Sequence, residues 1–387
     1  MPGRKTGGHI TSIMAPLVAI AGLVCAKDSL AQAIAYTISV LPAAANHSGQ
    51  IPSELNNLGD VAGRAVDSSV GGTRATIWSR NTLQPQGLGA LCHVTASSNS
   101  TSGGRGLGVF RGGEYSSASA INDAGEAAGA SNTGNSVVPF IWNPKGGLQS
   151  IPLLRGDNCG QAFGINKYGH VVGYSSGPNG ARAFLWARST GVQSLGSLPG
   201  GSYSRARRVN DSDEAVGTSA SPAGNRAVLW TKSGNVRDLG TLPGDSSSEA
   251  MAINNAGDVV GYSKGPGGMR AFLWTAANGM QDLGVLSGGH SSRALAISDS
   301  GDVVGTSTSS SGDRAFIWTK QAGMTDLNSA VSTGLGAVLM EAHAINNSGE
   351  ILVMGKVAPE PKGGTAPPKH EDCTLGPPST FLLIPIP

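Results

Sequence analysis

The stretch Ala252-Ile253-Asn254-Asn255-Ala256-Gly257-Asp258-Val259-Val260-Gly261-Tyr262-Ser263 leads into Arg270-Ala271-Phe272-Leu273-Trp274-Thr275 and then Gly279-Met280-Gln281-Asp282-Leu283-Gly284. Close copies recur along most of the chain, which marks a repeat protein. All six tryptophans, Trp78, Trp142, Trp186, Trp230, Trp274 and Trp318, occupy one slot of the repeat, and from Trp142 onward they are 44 residues apart. The Asn of the Ile-Asn turn keeps the same register at Asn122, Asn166, Asn210 and Asn254, with Ser298 in that slot next. An outlying copy begins at Leu55-Asn56-Asn57 and a last one at Ala344-Ile345-Asn346, which makes seven units.

Each unit divides into four short segments with strand character. In the copy quoted, these run from Ala250 to Asn254, Asp258 to Ser263, Arg270 to Thr275 and Met280 to Leu286, separated by turns rich in Asn, Gly, Ser and Pro. No segment holds a 3.6-residue apolar period long enough for a helix. Four antiparallel strands every 40 to 50 residues are the signature of a β-propeller blade. The termini add a check. Tyr36 to Pro42 reads as a fourth strand with no unit before it, while the last unit stops after a third strand at Phe381 to Pro385. Together they complete one blade and remove two open sheet edges. The expectation is an all-β, seven-bladed β-propeller of four-stranded antiparallel blades, closed by the N-terminal strand completing the last blade. Small residues at Ala250/Ala252, Ala294/Ala296 and Ala342/Ala344 suit a crowded centre. The tryptophans suit the wedge between sheets, and Gly257 and Gly261 suit positive-φ turns and close sheet contacts.

Residues 1–33 read as a secretory signal: Arg4, Lys5 and His9, an apolar run from Ile13 to Ala26, and Ala31-Gln32-Ala33 as a cleavage pattern. That run is short for a membrane span, which needs about 20 residues. Residues 34–387 then form a single repeat domain, secreted or periplasmic, bacterial and read as a monomer. Loop insertions fall at about 79–113 and 356–379; both are too polar and too rich in Gly or Pro to pack as core. With 27 Lys and Arg against 25 Asp and Glu, nothing implies a nucleic-acid or anionic-membrane partner. Cleavage would leave Cys92, Cys159 and Cys373; their odd number rules out complete pairing within one chain, and one bridge, Cys92 with Cys159, is open.

The surrounding pattern, Ile-Asn-x-x-Gly-x-Val-Val-Gly through Leu-Trp to Asp-Leu-Gly-x-Leu-Pro-Gly-Gly, resembles the HAF-repeat family of predicted extracellular bacterial proteins. The triplet that names the family stands here as Arg182-Ala183-Phe184, Arg270-Ala271-Phe272 and Arg314-Ala315-Phe316, with Arg in place of His. The resemblance covers about Tyr36 to Pro387. It implies secretion and a repetitive β architecture, and it transfers no active-site residue or ligand.

Candidate chemistry is sparse. Gly173-Tyr174-Ser175-Ser176-Gly177 and Gly261-Tyr262-Ser263-Lys264-Gly265 match a nucleophile-elbow pattern, but no helical segment follows either, so they read as strand. The turns Asn122 to Glu126, Asn254 to Asp258 and Ser298 to Asp302 gather oxygen ligands, yet Asn, Asp and Gly are also what a β-turn selects. Neither His-x-x-x-His nor Cys-x-x-Cys occurs, and the glycines from Gly103 to Gly108 precede no helix, so no metal or cofactor is implied. The most informative column lies five residues before the Asn, with Gln161, Arg205, Glu249, Arg293 and Glu341 in successive units. The expectation is a ring of alternating charge at the channel mouth, with Arg207, Arg208, His290 and His343 nearby. It holds blades in register or binds a polar ligand such as a sugar. The resulting reading is a non-catalytic binding or scaffold module. It presents rim loops such as Leu198 to Ser204 and Leu286 to Ser292 to a polysaccharide, cell-surface component or protein. The rival is an extracellular hydrolase or lyase with its site at the channel mouth.

Overall fold

The computed structural model describes residues 36–41, 47–67, 72–80, 85–87, 109–331, 337–357 and 378–386. Residues 1–33, which the sequence reads as a secretory signal, lie outside the described residues, as do Cys92, Cys373, the glycines from Gly103 to Gly108 and most of both inserted loops. Seven four-stranded antiparallel sheets form a β-propeller. The fifth blade is representative, with strands Ser247–Ile253, Val259–Gly265, Gly268–Thr275 and Gly279–Asp282. Its fourth strand is shorter than the sequence pattern suggests. Asp282 Oδ1 accepts from the amide of Gly284 at 2.8 Å, Gly284 takes φ +81°, and the chain turns inward to bury Leu283 and Leu286.

The seventh blade combines Ala337–Ile345, Ile351–Val357 and Pro378–Pro385 with the N-terminal Tyr36–Val40. Tyr36 pairs with Pro385 and Val40 with Phe381, so the first strand closes the ring in the way the termini indicated. Tyr36 is buried against Leu327, Leu339, Phe381 and Leu383, and burial, then the charge of Asp302, pushes its phenol up to about 12. A single helical turn, Leu327–Ala330, departs from all-β character between the sixth and seventh blades.

The seven first strands, His47–Leu55, Ser116–Ile121, Cys159–Ile165, Ser204–Val209, Ser247–Ile253, Ser292–Ile297 and Ala337–Ile345, each contact the first strands of both neighbouring blades. They therefore surround the propeller axis. Between blades the core is apolar: Phe184, Phe272 and Phe316 of the Arg-Ala-Phe triplets and Trp230 are fully buried, and Trp274 and Trp78 nearly so. Gly173, Gly217, Gly261 and Gly305 are required by close approach, because a Cβ there would overlap the carbonyl of Gln161, Arg205, Glu249 or Arg293 in the adjacent first strand.

The repeated Asn ties one blade to the next. Asn254 Oδ1 accepts from the amides of Ala256 (3.1 Å) and Asp258 (2.9 Å), holding its own turn, while Gly257 supplies φ +82°. Its Nδ2 donates to the carbonyl of Ser298 in the next blade at 3.2 Å. The same link runs from Asn56 to Asn122, Asn122 to Asn166, Asn166 to Asn210, Asn210 to Asn254 and, across the closure, Asn346 to Asn56, at 3.0 to 3.3 Å. Ser298 lacks an amide nitrogen, so the link from the sixth blade to Asn346 is missing. Buried hydrogen bonds contribute about 0.5 to 1.5 kcal/mol each. Asn254→Ala removes three and should destabilise the fold by about 2 to 4 kcal/mol in denaturant titrations. Ser298→Asn should complete the ring and raise the melting temperature instead; a lowered one would count against the link.

Candidate functional site

The turns place polar side chains at one end of the axis, around a cavity of about 200 Å³ lined by Asn56, Asn122, Asn210, Asn346 and the residues that follow each of them. Those followers form a second ring. Asn57 donates its backbone and side-chain N–H groups to Asp123 at 2.8 and 2.9 Å, and Asn255 does the same to Asp299 at 2.9 and 3.0 Å. Lys167 donates its amide to Asp211 Oδ1 and pairs its Nζ with Oδ2, each at 3.2 Å. Of the oxygens that the sequence marked as cation ligands, the carboxylates of Asp123 and Asp299 are thus engaged by neighbouring blades. Among the described residues no three His, Cys, Asp or Glu side chains converge as metal ligands would.

One departure from symmetry stands out at this end. Asp213 occupies the turn position that is Gly257 in the next blade, at φ +63°, where a non-glycine residue costs about 1 kcal/mol. It accepts from Asn166 Nδ2 at 3.1 Å, lies 2.6 Å from His170 Nδ1 and 3.3 Å from Lys232 Nζ. His170 fills the slot held by Glu126, Glu214 or Glu350 in other copies, so Asp213 restores the missing carboxylate from the adjacent blade. Burial would push its carboxyl up, but the bonds and charges of His170 and Lys232 outweigh that and hold it below its ordinary value.

Beneath the cavity the axis is crossed by an ion pair. Arg208 Nη2 of the fourth blade reaches Glu54 of the first at 2.6 Å, with both side chains largely buried. Those blades are three steps apart in the ring, so the pair spans the channel rather than joining neighbours. Arg208 Nη1 also donates to the carbonyl of Phe163 at 2.6 Å. Gly164 leaves the room this needs, since a Cβ there would lie 2.9 Å from the Arg207 carbonyl. The signal was present two residues before each Asn, where Ala120, Gly164, Ala252, Ala296 and Ala344 are small and Glu54 and Arg208 are large and opposite in charge.

The column five before the Asn lies at the opposite end of the first strands, and it is not a simple alternating ring. Arg293 and Glu341 do pair, at 3.9 Å. Glu249, however, is held by Arg207, whose Nε and Nη2 donate to its Oε1 at 3.0 and 2.7 Å, and by the Tyr262 hydroxyl at 2.7 Å. The reason is a register shift between Ala206 and Arg208: Arg207 becomes the extra residue of a bulge and swings toward the next blade. Burial, then the charge and hydrogen bond of Glu249, push the Tyr262 phenol up to about 12. Arg205 is exposed and lies over the Tyr174 ring at 4.8 Å rather than beside a carboxylate. Gln161 is directly opposite Tyr174 across its strand pair. His343 is half-buried with its Nε2 enclosed and unpartnered; burial foremost, and the charge of Arg293, depress its basicity against the opposing effect of Glu341. His290 sits apart, exposed in the loop before the sixth blade.

The elbow-like serines are structural. Ser175 and Ser263 are fully buried within second strands, accepting from the amides of Leu154 and Leu242 at 3.0 Å. Ser175 donates onward to Asp157 at 2.7 Å and Ser263 to the carbonyl of Ser247 at 3.3 Å. Cys159 directs its thiol at the Ser176 carbonyl, 3.7 Å away.

Neither a protein-family profile nor a curated protein sequence matches the chain. Among solved structures it is similar to TolB from Acinetobacter baumannii, with 14% identity and a TM-score of 0.45 over 69% of this chain and 63% of that one. It is similar also to virginiamycin B lyase from Staphylococcus aureus (11%, TM-score 0.47, 91% and 99% covered). A third is oligogalacturonate lyase from Vibrio parahaemolyticus (10%, TM-score 0.46, 91% and 97%). The chain spans less than two thirds of TolB's length. The likeness is one of fold and assigns neither ligand nor activity. Among the described residues no helix is long and apolar enough to cross a membrane.

Two measurements probe the electrostatics. A double-mutant cycle of Glu54→Ala and Arg208→Ala should give a coupling of about 1 to 2 kcal/mol, between exposed and buried ion pairs, and each single change should cost more than half of the double. For Asp213, a depressed folded value means a stabilising contribution that is complete above its unfolded pKa, about 4, and lost as the pH falls through the folded value. Asp213→Asn should therefore show a shallower loss of stability below about pH 4 than the wild type.

Proposed function

We propose that this chain is a secreted, non-catalytic binding module of the HAF-repeat type. It would present the propeller end that carries Arg205, Glu249, Arg293 and Glu341, with its rim loops, to a polysaccharide. The observation that carries the reading is the contrast between the two ends of the axis. Around the Asn rings the polar groups satisfy one another from blade to blade. The opposite end keeps an exposed arginine without a carboxylate, and the enclosed polar atoms Thr218 Oγ1 and His343 Nε2 have no partner. The trans-axial pair Glu54–Arg208 supports the same view, because it lies across the axis between the two ends.

Binding is favoured over acid–base chemistry by the state of the acids. Glu249 is tied to Arg207 and Tyr262, and Glu341 to Arg293, so neither is positioned as a free proton carrier. The rival reading, a hydrolase or lyase at the channel mouth, draws support from His343, whose basicity burial depresses and whose enclosed Nε2 has no partner, beside Glu341 and Arg293. Purified protein on a glycan array, with a pull-down from culture fluid, should retain polysaccharide without shortening it. Release of fragments that is lost in His343→Ala would instead establish the enzyme. Silence on the array under broad conditions would sink the binding reading.

A further inference from the structure

The third and fourth blades hold a small set of groups that the fold itself does not use. Arg205 stacks on Tyr174, and a stacked guanidinium is held in orientation while its in-plane N–H fork stays free. Among the described residues Arg205 makes no ion pair or hydrogen bond, in contrast to Arg207 with Glu249, Arg208 with Glu54 and Arg293 with Glu341. Thr218 lies directly opposite Arg205 across the strand pair, hence on the same sheet face; it is 5% exposed and its Oγ1 has no partner. Gln161 lies opposite Tyr174 in the same way, so the stacked pair brings an amide, a phenol and a hydroxyl around one free cation.

The charge at this end of the axis points the same way. Counting residues five and three before each Asn, with the second-strand residues opposite the former, there are four arginines (Arg64, Arg205, Arg207 and Arg293) and two glutamates (Glu249 and Glu341), a balance of +2. Arg64 of the first blade is exposed, and no carboxylate among the described residues pairs with it. An acidic ligand is therefore drawn to this end, while the balanced charge of the whole chain offers no stripe for a polyphosphate.

We propose that this cluster binds the carboxylate of a uronic-acid residue in an acidic polysaccharide, with Arg205 as the anchor and Gln161 and Tyr174 taking ring hydroxyls. A guanidinium fork matches a carboxylate in two parallel hydrogen bonds, and short polar side chains around it match a hydroxylated ring. The assignment rests on the binding-module reading and gives it a ligand class.

Calorimetric titration with galacturonic acid oligomers, and with the same oligomers after reduction of their carboxyls, tests it. The wild type should bind the acidic oligomer more weakly as salt rises and leave the reduced one unbound. Arg205→Ala should weaken binding roughly 10- to 100-fold, the loss expected for a charged hydrogen-bonded contact, and Arg205→Lys should recover part of it. Arg226→Ala, which removes a guanidinium on the third strand of the fourth blade, should leave affinity unchanged; equal melting curves exclude misfolding. Equal binding of acidic and reduced oligomers, or an Arg205→Ala variant that binds as the wild type does, would overturn the assignment while leaving polysaccharide binding intact. Failure of the wild type to bind the acidic oligomer would overturn it whatever a glycan array shows.

Discussion

The structure depends on one side chain doing two things at once. The amide of each repeated Asn closes its own turn through Oδ1 and reaches the next blade through Nδ2, as at Asn210, whose Nδ2 is 3.3 Å from the Asn254 carbonyl. That carbonyl also accepts from Gly257 at 3.1 Å, so both of its lone pairs are used. A blade cannot shift relative to its neighbour without leaving buried donors and acceptors unmatched, which costs more than the bonds themselves contribute. Apolar packing between sheets is strong but has little direction, whereas the Asn contacts set the angular register. Six such links around seven blades, with the N-terminal strand closing the last sheet, hold the first strands around a narrow axis.

That register determines which polar groups are satisfied at each end of the axis. At the turn end, Asn57 bonds to Asp123, and Lys167, Asp211, Asn255, Asp299, Asn347 and Asn57 are bonded in succession, while the pair Glu54–Arg208 lies across the axis below them. At the other end, spacing of the first strands places Arg205 on Tyr174 and Arg207 on Glu249, with Thr218 Oγ1 unmatched. Polar groups that satisfy each other make scaffold, and those left over carry the proposed site.

The fold was legible because it is written seven times. Trp spacing, the Ile-Asn turn and the orphan strand at Tyr36 to Val40 are local signals reinforced by repetition, and the observed pairing of Tyr36 with Pro385 follows from them. The site was legible only in part. Reading one column at a time located Arg205, Glu249, Arg293 and Glu341 at one mouth, but it could not supply the bulge that turns Arg207 toward Glu249. The contact between Glu54 and Arg208 joins copies that are not consecutive, so a nearest-neighbour reading of the repeat does not find it. Asp213 was hidden for the opposite reason: a carboxylate in a glycine slot looks like a lapse of the pattern until His170 of the preceding blade is placed beside it.

Hydrogen exchange of the side-chain amides tests the Asn register most directly. Nδ2 protons of Asn56, Asn122, Asn166, Asn210, Asn254 and Asn346 are each bonded to the next blade's carbonyl among buried residues, whereas those of Asn57, Asn255 and Asn347 lie at the exposed end of the axis. In side-chain-resolved NMR the first six should exchange only with global unfolding, and the last three far faster. Exchange of the six at the rate of a solvent-exposed asparagine would contradict a propeller held in register by its asparagines.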